Sequence, residues 1–97
     1  MRDEKETTMT THDFGNGPVP AHQHPNGKGW VANTATVNDT AYIGPNAQVY
    51  DNAHVSGNAR VHDAARVSGD AWVTDNARVS GNAWVYGNAR VSDGSIS

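Results

Sequence analysis

The 97-residue sequence contains no cysteine and no leucine, and only two isoleucines and one phenylalanine. The missing cysteine excludes a disulfide framework, a thiolate nucleophile and a Cys-type zinc site. The missing leucine excludes an ordinary helical bundle, whose seam needs large apolar side chains. No apolar run approaches membrane-spanning length, so a membrane partner is not expected. Basic residues are also few, 7 against 10 acidic, for a net charge of −3. That balance argues against sequence-independent binding to nucleic acid. The segment MRDEKETTMTTHD lacks the apolar stretch of a secretory signal, so a cytoplasmic or virion-associated protein is expected.

What is present is alanine and valine, 13 and 11 residues of the 35 apolar ones, and they recur with a fixed period. From Val31 onward a β-branched apolar residue stands at every sixth position: Val31, Val37, Ile43, Val49, Val55, Val61, Val67, Val73, Val79, Val85 and Val91. Four residues after each comes a small one, from Ala35 and Ala41 to Ala89 and then Ser95. The frame runs through eleven hexads without insertion or deletion. A helix does not fit, because six residues turn it by about 600° and scatter the valines around the axis. A plain strand does not fit either, because each hexad carries a turn pair such as Asp51-Asn52, Gly57-Asn58 or Gly81-Asn82. Gly, Asn and Asp tolerate positive φ and favour tight bends. Each hexad therefore reads as a very short strand followed by a corner, with Val pointing inward and Ala filling the bend.

The hexads VSGNAR, VSGDAW, VTDNAR and VSGNAW resemble the hexapeptide repeat of left-handed parallel β-helix proteins. The resemblance covers residues 31–95. It implies an all-β triangular solenoid, one coil per three hexads, and an exception to right-handed crossover. Residues 31–97 would make about 3.7 coils. It also implies trimerisation through a flat face. The preceding residues differ in kind: 1–13 are polar and read as a disordered tail. Residues 14–30 are rich in Gly and Pro and read as an extended arm that packs on or caps the first coil. The arm with the first hexad resembles the head of hexapeptide-repeat proteins from phage and bacterial genomes.

Side chains alternate along a strand, so the residues flanking each Val face outward, and the three faces recur every third hexad. Face A then carries Trp30, Tyr50, Arg66, Trp84 and Tyr86; face B carries His54, Trp72 and Arg90; face C carries Tyr42, Arg60, His62 and Arg78. Outward Trp, Tyr and Arg are enriched at binding surfaces. An interface between identical subunits, centred on face A, is the favoured reading. A foreign partner, or plain cover of neighbouring rungs, are the others. Arg60 and Arg78 would stack about 5 Å apart and call for an anion, so a small anionic ligand or nucleotide is a candidate partner.

The sharpest local chemical feature is His22-Gln23-His24. In an extended segment residues two apart point the same way, so the two imidazoles could share a metal ion. The pair is similar to the iron-binding HxH motifs of trimeric phage fibre and spike proteins. Corner residues Asp39, Asp51, Asp63, Asp75 and Asp93 suit turns first and calcium second. The hexapeptide resemblance also brings in acyltransferases and γ-class carbonic anhydrases. The former usually carry an inserted loop or added domain, and the latter need three zinc-binding His. The coils have no insertion, and only His54 and His62 lie within them. A non-enzymatic structural or interaction module without a resident cofactor is therefore expected, with no catalytic residue assigned. A ligand-sequestering protein and an intersubunit acyltransferase are the rivals.

Overall fold

The computed structural model describes residues 10–15 and 17–96. Fourteen strands and no helix occur among them. Twelve strands form the coils, and their order shows why a six-residue period builds three flat faces. On face A lie β3 (Trp30–Ala32), β6 (Gln48–Val49), β9 (Arg66–Val67) and β12 (Trp84–Val85). Face B holds β4 (Thr36–Val37), β7 (His54–Val55), β10 (Trp72–Val73) and β13 (Arg90–Val91). Face C holds β5 (Tyr42–Ile43), β8 (Arg60–Val61), β11 (Arg78–Val79) and β14 (Ser95–Ile96). Within each face all pairings are parallel, and up to Val91 each residue lies against its counterpart 18 positions away, as in Arg66↔Trp84 and Val67↔Val85. The molecule is a β-solenoid of about four turns.

The core is a column of β-branched side chains ringed by alanine. Val31, Ile43 and Val49 through Val79 are almost wholly buried, as are Ala41 through Ala77 of the repeat. Alanine belongs there because each one closes a four-residue turn. The Ala41 N–H donates to the Asn38 carbonyl at 3.0 Å, Ala47 to Gly44 at 3.0 Å and Ala77 to Thr74 at 3.1 Å. A longer side chain at these points would have to enter a prism whose walls are pinned by ladder hydrogen bonds.

Between the strands the second turn residue takes positive φ: Asp51 (60°), Gly57 (65°), Asp63 (58°), Gly69 (63°), Asp75 (57°), Gly81 (63°) and Gly87 (64°). Non-Gly residues in this region ordinarily pay about 1–2 kcal/mol. Asp51 and Asp63 offset that strain locally. Their carboxylates accept the backbone N–H of Gly69 and Gly81, one coil below, at 3.1 Å each. Alanine could not do so. A Cβ on Gly69 would stand 2.9 Å from the Gly87 nitrogen, whereas a Cβ on Gly87 would meet nothing within 4 Å. Gly69→Ala is therefore expected to lose about 2 kcal/mol of unfolding free energy and Gly87→Ala about 1. Urea unfolding of the two variants checks the difference, since their backbone strain is the same.

Two departures from the repeat frame appear at the ends. The frame puts Ser97 under Val79, but the structure pairs Val79 with Ile96 and Arg78 with Ser95. The last corner is one residue shorter, turning at Gly94 (φ 84°) with the Asp93 carboxylate accepting its N–H at 2.9 Å. The physical reason is apolar register: the shorter step sets an isoleucine, not a serine, under the valine column. At the other end, Thr11–Asp13, which the sequence reading placed in the polar tail, form strand β1. It pairs antiparallel with β2 (Pro18–Gln23), and β2 pairs antiparallel with β3. The Asp13 carboxylate ties the hairpin by accepting the N–H of Gly15 at 2.7 Å and of Gly17 at 3.1 Å. Residues 1–9 of the expected tail lie outside the described residues.

The arm then crosses to face C. Asn26 and Gly29 bond the backbone of Ile43, with Gly29 N to Ile43 O at 2.9 Å and Ile43 N to Asn26 O at 3.0 Å. Gly29 must be glycine, because a Cβ there would collide with the Ile43 side chain and the Gly44 carbonyl. The arm thus covers the N-terminal edges of β3 and β5. Among the described residues β12, β13 and β14 are edge strands at the opposite end.

Candidate functional site

Face A is divided by the arm. The hairpin that extends the sheet also folds back over its outer surface, because His12 and Phe14 stand two apart on and just after β1 and point to the same side. The His12 ring stacks on Trp30 at 4.6 Å, and Phe14 stacks on Tyr50 at 4.9 Å. Phe14, Ala21, Ala32 and Tyr50 make a second apolar cluster outside the main core, with Trp30 packed against it. Tyr50 is left only 7% exposed. The assignment of Trp30 and Tyr50 to an open interface is therefore corrected: the chain's own arm covers them. The arm's hold is not ideal. It seals in His12 Nε2 and Gln48 Oε1 without hydrogen-bond partners, each costing about 1–3 kcal/mol.

The C-terminal half of face A is open. Trp84 is 53% exposed and Tyr86 62%, with ring centres 5.3 Å apart. The Trp84 indole N–H donates to Ser68 Oγ at 2.9 Å, which fixes the ring and buries that serine. Arg66 is exposed in the same column, one rung above Trp84. A single corner, Gly87-Asn88-Ala89, leads from Tyr86 to Arg90 on face B. There the Arg90 guanidinium lies 5.5 Å from the centre of the Trp72 ring, a cation–π contact. Trp72 is 42% exposed and meets the His54 ring on its other side at 4.7 Å. Trp72, Trp84, Tyr86, Arg66 and Arg90 thus form one aromatic and cationic surface around the A/B corner of the last two coils.

Face C carries a different chemistry. Arg60 and Arg78 are directly in register, with Tyr42 above them. His62 follows on the same rung as Arg60, and its Nδ1 is 3.5 Å from the Asp63 carboxylate. A cleft of about 560 Å³ opens here, walled by Thr40, Tyr42, Asn58, Arg60, His62 and Asp63 from the coils and Asn26 from the arm. The repeat frame places Arg60 and Arg78 correctly beside one another. It is silent on Asn26, which reaches the cleft only through the arm.

The two arm histidines do not share a site within the chain. His22 lies exposed on β2 with Nδ1 2.7 Å from Asn33 Oδ1. His24, just past the strand, is 2% exposed, and its Nε2–H donates to the Ala41 carbonyl at 2.9 Å. The strand ends before His24, so the alternation that would aim both rings one way is lost. Among the described residues no three His, Asp or Glu side chains gather as a metal-binding group. The arm residues that matter most, His12 and Phe14, were missed. Their only signal is two rings at i and i+2 before the Gly-rich bend at Gly15 and Gly17.

Compared with known proteins, the sequence matches a family model described as the YdcK beta solenoid repeat over residues 47–63, 65–81 and 83–97. No curated protein and no solved structure gave a match.

Proposed function

The chain belongs to the YdcK β-solenoid repeat family, and from that premise we propose that it is a rigid, non-enzymatic interaction module that assembles with itself as a trimer. The six-residue period, kept from Val31 to Val91, supports placing it among left-handed hexapeptide solenoids, and the resemblance of its head segment favours an accessory role in a phage or bacterium. The observation that carries the reading is the confinement of open aromatic surface. Trp30 and Tyr50 are covered by the arm, while Trp72, Trp84 and Tyr86 stand open together at the A/B corner. Large aromatics beside Arg dominate the energetics of protein interfaces. Here they sit on a prism of two-residue strands whose backbone is already ordered, so docking immobilises little and loses little entropy.

The experiment is sedimentation velocity on Trp84→Ala and Tyr86→Ala. Truncating a central interface aromatic costs about 2 kcal/mol or more, which weakens association about thirtyfold. Each variant is expected to run as a folded monomer at micromolar concentration. An oligomer unchanged by both substitutions overturns the assignment of this surface.

A further inference from the structure

We propose that the cleft on face C binds a small organic phosphate. The inference stands on residues separate from the aromatic corner and does not depend on the state of assembly. It begins with a like-charge pair. The parallel register holds Arg60 directly over Arg78, so the two side chains leave the face about 4.8 Å apart. Like charges opposed on neighbouring strands destabilise a sheet. Among the described residues neither guanidinium has a carboxylate at ion-pair distance. The carboxylate that lines the cleft, Asp63, is turned to other work: it accepts the Gly81 N–H at 3.1 Å and faces His62 at 3.5 Å. Two neighbouring guanidinium groups with no carboxylate at ion-pair distance among the described residues fit an anion with several oxygens, and guanidinium forks match phosphate oxygens well.

The second observation is the space beside Arg60, which lines it, with Arg78 in register on the next rung outside the lining. The cleft measures about 560 Å³, within the range of sites that hold whole small molecules, roughly 300–1,000 Å³. A bare phosphate would leave most of it unused. The rest of the wall is the Tyr42 ring, the Asn26 and Asn58 side-chain amides, Thr40, and the His62–Asp63 pair, whose carboxylate is engaged by the Gly81 N–H. The ring is held in place from two sides, since a Cβ on Gly27 would stand 3.0 Å from Tyr42 Cε1 and one on Gly44 3.5 Å from Cε2. A fixed ring next to two amides offers a planar organic group a face to lie on and donors and acceptors at its edge. Because Asn26 and Gly27 belong to the arm, the site is complete only when the arm is folded onto the first coil.

The test is calorimetric titration of the full chain with AMP, inorganic phosphate and adenosine. AMP is expected to bind at least tenfold more tightly than inorganic phosphate, and adenosine not to bind at millimolar concentration. Arg60→Gln and Arg78→Gln are each expected to weaken AMP binding about tenfold or more, with the thermal transition retained. Absence of binding by AMP at millimolar concentration overturns the proposal. So does equal affinity for AMP and phosphate, which would leave the organic part unrecognised, or AMP binding untouched by both Arg substitutions. Solution mass is followed in the same samples, so failure of this site and failure of the assembly reading are told apart.

Discussion

Val61→Asp is expected to abolish the cooperative thermal transition of the chain at neutral pH. Val61 is fully buried on β8, in the middle of the valine column, with Ile43 above and Val79 below. Nothing at that depth can receive a carboxylate. The surrounding core is Val and Ala side chains, and the backbone donors are spent in ladder and turn bonds. An unpaired buried charge costs several kcal/mol even after relaxation, comparable to the whole stability of a small domain, about 5–15 kcal/mol. The prism has no second layer to retreat into, because one column is the entire core of each face. A break at Val61 also separates the coils above from those below, each too few to stand alone. Circular dichroism against temperature is the check. A native-like transition in this variant would mean that the column is not the core.

Starting the chain at Trp30 is expected to cost about 3–5 kcal/mol of stability, the amount lost when a buried Phe is removed, and to make the product associate. The truncation takes away Phe14 and His12, which lie on Tyr50 and Trp30, and His24, which bonds the Ala41 carbonyl. It also strips the cover from β3 and β5, leaving unpaired strand edges that invite pairing with other chains. The loss is smaller than the apolar contact alone suggests, because truncation also removes the unpartnered His12 Nε2 and returns Gln48 Oε1 to water. Urea unfolding and light scattering check both parts. Unchanged stability and mass would show that the arm does not lie on face A in solution.

The coil region was legible because one rule repeats through it. A β-branched residue every six positions can face inward only if the chain turns after each short strand, and an Ala four residues on marks where that turn is tight. From that frame the pairings Arg66↔Trp84, Trp72↔Arg90 and Arg60↔Arg78 follow directly. The arm obeys no such rule. His12 and Phe14 sit in a stretch of polar and Gly residues, and their apolar partners Trp30 and Tyr50 are far along the chain. Periodicity puts Trp30 and Tyr50 outward, which is right for the coil, and says nothing about what lies over them. The same limit hides the cleft, which needs Asn26 from the arm beside Tyr42 and Arg60 from two coils. At the other end Ser95-Ile96-Ser97 admits two frames, and pairing of the isoleucine with Val79 selects the shorter one. His22 and His24 look like a pair only while the strand is assumed to run through both.

The most direct test of the central claim is the solution mass of the unaltered chain by multi-angle light scattering. One chain has a mass of 10.3 kDa. The assembly reading predicts three copies, about 31 kDa, holding together at micromolar concentration. A stable particle of 10.3 kDa over the same range would contradict it, and the open surface of Trp72, Trp84 and Tyr86 would then belong to a different partner.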